Sequence, residues 1–312
     1  MTNFLQRTTI ACVFSAIVIL VIILTLAPSV DAAGGITPPS GVSLSFPPFT
    51  SAINCSTDAS ARTTWKPSDM CRIQDGGREV MFSVDFATSI RYQYYRKVQL
   101  WIPGTRYAAS FSTTFVVAFL RGSERVEDGN YNPFGGGIAF AMTPDQRVGR
   151  GSAETLGLFE IDERTGKSLR GANTKTFAVE IDTVRMSTVP SFNDPQTPHV
   201  GVDINGVKST AAASLGTFQQ FVDRKIAIFI DYDAQQQLLQ VRLQNLGFAG
   251  NSTQTPDKRR ARLYLNIHNL RVSSIVNPQS YVGFSSSIPE DDHGVYILYD
   301  WKFTTKWVPI NY

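Results

Sequence analysis

Residues 177–208 read FAVEIDTVRMSTVPSFNDPQTPHVGVDINGVK. The stretch opens in period two. Neighbouring side chains of a strand point to opposite faces, so Val179 and Ile181 share one face and Glu180 and Asp182 the other. Pro190, Pro195 and Pro198 then make a stiff connection that can fold back over the strand end. The same alternation recurs along the chain. Val80, Phe82, Val84 and Phe86 form one apolar set, and Phe111, Phe115, Val117 and Phe119 another. Ile226, Ile228, Ile230 and Tyr232 follow, then Leu239, Val241 and Leu243, and finally Val295, Ile297, Tyr299, Trp301 and Phe303. No long window carries a 3.6-residue period, and Gly, Pro, Asn and Asp clusters separate the runs. Strands of this kind bury their apolar sides by packing two sheets face to face. The fold class expected is all-β: a two-sheet antiparallel sandwich of the jelly-roll kind.

Length and composition fit one such domain. The chain has 312 residues, 43% hydrophobic and 18% charged, with a net charge of +3. That charge is too small and scattered to point to nucleic acid. The densest basic cluster, Lys258, Arg259, Arg260 and Arg262, reads as a solvated loop. Residues 11–27 are almost continuously apolar after Arg7, and small residues follow near Ala32 and Ala33. Residues 1–33 are therefore read as a signal peptide and 34–312 as the mature domain, with a retained membrane anchor as the alternative. Secretion to an extracellular, apoplast-like space is the expected localisation. Cys12 goes with the signal, which leaves Cys55 and Cys71 for a disulfide in an oxidising compartment. Such a bridge closes a loop of about fifteen residues, worth on the order of 3 kcal/mol. Asn54 and Asn251 head N-glycosylation sequons.

Glu180, Asp182, Asp194 and His199 supply three carboxylates and an imidazole around one proline-stiffened loop. Two acids side by side on a strand repel unless something positive lies between them. Hard cations such as calcium take carboxylate and carbonyl oxygens, and a histidine suits a transition ion. The alternative is a solvated acid pair followed by an ordinary Asp-Pro turn.

The order of several short segments resembles the legume lectins, the plant L-type lectin family. These are Phe46-Pro-Pro-Phe49, Phe111 to Phe119 (FSTTFVVAF), Gly137-Ile-Ala-Phe140 and Leu156-Gly-Leu-Phe159. Val179 to Thr183 (VEIDT), Asp194-Pro195 and His199 to Ser209 (HVGVDINGVKS) are the most specific. Ile230 to Asp233 (IDYD), Tyr281 to Ser285 (YVGFS) and Trp301 complete the series. The resemblance implies a concanavalin-like sandwich and a carbohydrate-binding module holding Ca2+ and a transition metal such as Mn2+. It implies Glu180, Asp182, Asp194 and His199 as transition-metal ligands, with Asp182 and Asp194 shared with calcium. The backbone carbonyl of Val184 falls at a further calcium position.

The sequence departs from that family at the sugar site. Gly136, followed by Gly137, stands where the family has an aspartate that accepts from sugar hydroxyls. Met186 stands where it has an asparagine, and Glu154 lies in the loop that normally offers a glycine backbone. Weak or absent binding of simple monosaccharides is therefore expected. Three functions follow. The first is a secreted lectin for a glycan or another extracellular ligand, with altered sugar-site residues and a possible homodimer through a sheet face. The second is a degenerate lectin fold that binds a protein or an apolar small ligand. The third, a glycoside hydrolase, needs a further acid on the same strand face, but Arg164 and Val184 stand there. The chain is therefore read as a non-enzyme.

Overall fold

The protein is described here by a computed structural model. It covers residues 29–30, 36–49, 53–57, 71–83, 88–120, 136–149, 155–162, 167–168, 173–183, 195, 198–206, 208–217, 220–288 and 295–310. Residues 1–33, read above as a signal peptide, lie outside the described residues apart from Ser29–Val30.

In chain order the strands are β1 (Ser29–Val30), β2 (Ile36–Thr37), β3 (Ser43–Phe46), β4 (Ile53–Thr57), β5 (Cys71–Gln74), β6 (Glu79–Ser83) and β7 (Thr88–Tyr94). Then come β8 (Val98–Gln99), β9 (Tyr107–Leu120), β10 (Gly137–Thr143), β11 (Ile161–Asp162), β12 (Lys167–Ser168) and β13 (Phe177–Asp182). The rest are β14 (His199–Ile204), β15 (Ser209–Ser214), β16 (Arg224–Asp233), β17 (Leu238–Phe248), β18 (Arg262–Ile267), β19 (Gln279–Ile288) and β20 (Val295–Pro309). The first sheet runs β15-β14-β13-β10-β19-β7-β4, with β8 against the start of β19. The second runs β18-β17-β16-β9-β20-β6-β5, with β3 along β20. β1–β2 and β11–β12 are small separate hairpin pairs.

The sheets pack face to face, as the alternation requires. Phe115 and Trp301 of the second sheet meet Phe284 of the first edge-on, with ring centroids 4.9 and 5.1 Å apart. Phe111 reaches Phe177 at 6.2 Å, and Phe303 reaches Phe140 at 6.0 Å. Each fully buried aromatic contributes on the order of 2–3 kcal/mol from area alone, so this layer dominates the stability of the sandwich.

Two features depart from simple alternation. In β20 the residues buried against the first sheet are Tyr296, Leu298, Trp301 and Phe303. The set Val295, Ile297 and Tyr299 lies on the other face. The pairing with β9 steps from Leu298↔Val117 to Asp300↔Val116, so Tyr299 is an extra residue. This β-bulge reverses the facing of everything that follows it. Val84 and Phe86 lie outside the described residues.

Second, β10 and β13 are buried on both faces. Their outer side is roofed by residues 155–159: Leu156, Leu158 and Phe159 pack on Ala139, Ala141 and Ala178. The alanines leave room for that close approach. Arg91 of β7 holds the roof down. Its Nη2 donates to the carbonyls of Gly157 and Leu158 at 3.1 and 3.0 Å, and its Nη1 to that of Asp145 at 3.2 Å.

Candidate metal centre

β13 and β14 run antiparallel in a register that sets Glu180 opposite Gly201 and Asp182 opposite His199. Alternation puts Glu180 and Asp182 on the outer face of the first sheet, because Val179 and Ile181 join the inter-sheet core. One ligand atom from each of Glu180, Asp182 and His199 lies within 4.8 Å of the others. All three residues are buried, at 3%, 5% and 1% exposure. The structure thus brings together three of the four predicted metal-ligating side chains. Asp194, Val184, Met186 and Glu154 lie outside the described residues.

The cluster is wired from both sides. His199 Nε2 sits 3.2 Å from Glu180 Oε1. Ser209 of β15 reaches the same Glu180 oxygen at 2.6 Å and Asp203 Oδ1 at 3.1 Å. A serine hydroxyl carries one proton, so the two carboxylates share it. Gly201 makes this arrangement possible: a Cβ there would collide with the Ser209 hydroxyl and the Glu180 carboxylate. Asp203, Ser209 and Gly201 are site residues that the reading of the sequence missed. The signal was present, since His199, Gly201 and Asp203 alternate along HVGVDI as Glu180 and Asp182 do along VEID.

On the other side of β13, Gly137 of β10 pairs with Asp182 in register. A Cβ on Gly137 would strike the Ile181 carbonyl. Gly136 is pinned to the chain just past Asp182: the backbone N–H and Oγ1 of Thr183 both donate to its carbonyl, at 2.9 and 2.5 Å. Ser286 Oγ donates to the Gly137 carbonyl at 2.7 Å. The two glycines assigned to the sugar site therefore abut the acidic cluster directly, and Gly136 brings backbone but no carboxylate.

Two carboxylates held out of water with one imidazole form a costly arrangement unless positive charge compensates them. Their oxygens and the imidazole nitrogen are the donor types a divalent ion takes from a protein, and the residues present fit such an ion. Elsewhere, Asn54 stands opposite Gln93 on edge strand β4, and Cys55 opposite Tyr92. Cys71 stands opposite Phe82 on edge strand β5 of the other sheet. Asn251 is exposed in the turn that follows β17.

Residues 42–311 match the legume lectin domain family. Among curated relatives, the chain is 28% identical over 215 residues to the probable inactive L-type lectin-domain containing receptor kinase III.1 of Arabidopsis thaliana. That match takes in 65% of this chain and 30% of the relative. The L-type lectin-domain containing receptor kinase IV.2 of the same plant is 33% identical over 190 residues, 57% of this chain and 24% of its own length. The chain thus spans less than a third of these relatives. Among solved structures, lectin II from Ulex europaeus superposes with a TM-score of 0.64 at 20% identity, over 85% of this chain and 98% of that one. The metal-free lectin I-B4 from Griffonia simplicifolia gives 0.62 at 22% identity, over 85% and 99%. These likenesses show the fold: both are legume lectin sandwiches.

Proposed function

The chain belongs to the legume lectin domain family, and from that premise we propose that it is a secreted, metal-dependent carbohydrate-binding module with an altered sugar site. The observation that carries the proposal is the buried cluster of Glu180, Asp182 and His199. In this reading those side chains, with Asp194 and the Val184 carbonyl, hold a transition ion such as Mn2+ beside Ca2+. The ions would neutralise the carboxylates and fix the chain that follows Asp182, which carries Met186, beside Gly136 and Gly137. Ser209 orients Glu180, and Gly201 gives both side chains their space. Bonds of this supporting kind set ligand geometry and metal affinity.

Gly136 and Met186 remove the polar anchors that would hold a single sugar, so the proposed ligand is a larger glycan held over a broader surface. A glycan array probed with and without chelator tests the proposal. Glycan binding that needs metal supports it. No glycan bound in the presence of metal moves the function to the second reading, a lectin fold that recognises a protein or apolar ligand, which the missing Gly136 carboxylate favours. Titration calorimetry adds a finer test. Galactose, glucose and mannose should bind weakly or not at all to the unmodified protein, and the Gly136→Asp, Met186→Asn double variant should gain binding.

The proposal includes an oxidised Cys55–Cys71 pair. The strands of the two cysteines edge the two sheets, where their neighbours Tyr92 and Phe82 meet at 5.7 Å. Secretion, cleavage near Ala33, an N-glycan on exposed Asn251 and pairing of two copies through a sheet face belong to the same reading. Intact mass and sedimentation of the secreted protein test them together. No catalytic role is proposed.

A further inference from the structure

The end of the first sheet away from the metal centre carries a row of cations. Strands β14, β13, β10, β19 and β7 lie side by side in that order. Phe177 stands opposite both Ile204 and Met142, Tyr281 opposite Thr143, and Gly283 opposite Gln93. These registers bring the end of β14, the start of β13, the end of β10, the start of β19 and the end of β7 to one side. The basic residues at or just beyond these strand ends are Lys208, Lys175, Arg147, Lys97 and Arg96, and the one acid there among the described residues is Asp145. Arg147 takes up that acid, its Nε donating to Asp145 Oδ2 at 2.9 Å. Among the described residues, no carboxylate pairs with Lys208, Lys175, Lys97 or Arg96. Neighbouring strands lie about 4.8 Å apart, so the row from β14 to β7 is about 19 Å long.

The row is held in shape at both ends. Arg96 Cζ stands 4.9 Å from the Tyr95 ring centroid, and Lys97 Nζ 5.3 Å from that of Tyr281. Each cation thus rests on a ring instead of ranging through solvent. At the other end, the turns that carry Lys175 and Lys208 are tied together. Asn205 Oδ1 accepts from the Thr176 N–H at 3.1 Å, and the Asn205 N–H donates to the Thr176 carbonyl at 3.0 Å. Cations fixed in this way lose less freedom when they meet an anion. Neutral polar groups stand among them: the side chains of Gln99 and Gln279 meet at the surface at 2.8 Å. Like charges gathered without counter-charge repel, and a partner of opposite sign relieves them. A chain of carboxylated sugars offers carboxylates to the cations and hydroxyls to the amides. A bilayer would instead call for apolar side chains to insert. The exposed large ring of this row is Tyr95, a phenol at 38% exposure, while exposed Ile73, Phe248 and Leu263 all belong to the second sheet.

We infer that this row is a docking surface for a linear acidic polysaccharide, a polyuronate, with Lys208, Lys175, Lys97 and Arg96 as anchors for successive carboxylates. It lies at the opposite end of β13 from Asp182 and does not rest on the metal-dependent reading. The probes are a soluble oligogalacturonate long enough to span the row and its neutral methyl ester, titrated calorimetrically into the full secreted protein. The acid should bind at least about tenfold more tightly than the ester. Its affinity should fall as salt rises, and chelator should leave it unchanged. The Lys175→Gln, Lys208→Gln pair and the Arg96→Gln, Lys97→Gln pair should each weaken binding of the acid by about tenfold at an unchanged melting temperature. The control is the Arg259→Gln, Arg260→Gln pair, which removes the same charge from exposed positions beside the second sheet. That pair should bind the acid as the unmodified protein does. Equal affinities for acid and ester, or an equal loss in the control pair, would overturn the assignment. So would binding that chelator abolishes. Pelleting with phosphatidylserine vesicles that the oligogalacturonate fails to displace would assign the row to a membrane instead. Failure of the glycan array leaves every one of these outcomes readable.

Discussion

Gly201→Ala is the sharpest perturbation of the acidic cluster, because it adds one methyl group and removes no ligand. The new Cβ would overlap both the Ser209 hydroxyl and the Glu180 carboxylate. Either β14 moves away from β13, or those two side chains separate and lose their 2.6 Å hydrogen bond. A hydrogen bond to a charged group contributes roughly 1.5–3 kcal/mol, and overpacking a close-packed site costs about 1–3 kcal/mol. Either outcome should cost the variant about 1–3 kcal/mol, read as a lower urea midpoint in chelator at an unchanged slope. Metal affinity should fall about 10–100-fold, as it does when a supporting partner of a ligand is lost. Ser209→Ala removes one of the two colliding groups, so the Gly201→Ala, Ser209→Ala pair should cost less than the sum of the single changes. Strict additivity in that cycle, or a Gly201→Ala protein of unchanged stability and affinity, would refute the geometry described for Glu180, Ser209 and His199.

Three further predictions concern the scaffold. Burial raises the Asp300 pKa above its ordinary 3.8, against the opposing pull of Lys302 and of the Trp301 backbone N–H. The folded state then binds this proton more tightly than the unfolded state. The group therefore weakens folding as pH rises through its folded pKa. Asp300→Asn should stabilise the protein at pH 7 and lose that advantage below the usual aspartate range. A urea-midpoint difference that is the same at both ends of the pH series would contradict this. Arg91→Met should free the roof segment 155–159, speeding amide exchange of Gly149, whose N–H donates to the Gly157 carbonyl, by more than tenfold. The amides of β9 should keep their protection, and unchanged exchange at Gly149 would show that Arg91 does not hold the roof. Reducing the proposed Cys55–Cys71 bridge should cost about 3 kcal/mol from the roughly fifteen-residue loop it closes. Alkylation of the untreated secreted protein at both cysteines would show that no such bridge forms.

Much of the fold was legible because its strands bury one face and alternate cleanly, as in β9, β13 and β16. The bulge at Tyr299 was not, since an inserted residue leaves the composition of β20 apolar on both sides and only the pairing with β9 reveals the flip. β10 carries small and apolar residues on both faces, so period two is absent there, and the reason is the roof of Leu156, Leu158 and Phe159. β7 alternates Ser89, Arg91 and Gln93 with Ile90, Tyr92 and Tyr94. Its polar face looks solvated in sequence, yet it is buried beneath the roof. In the acidic cluster, Glu180, Asp182 and His199 were readable from residue type and spacing. Gly201 and Asp203 carried a signal in their alternation with His199, but Ser209 did not, because it becomes their partner only once β15 lies beside β14.

The measurement that bears most directly on the metal centre is elemental analysis of the purified protein combined with melting in the presence and absence of chelator. An ion that binds the folded state at a hundredfold over its Kd adds about 2.7 kcal/mol, roughly 5–10 °C for a domain of this size. The unmodified protein should carry bound divalent metal and lose about that much on chelation, and Asp182→Asn should show no response. A protein that contains no metal and melts identically with and without chelator would contradict the account.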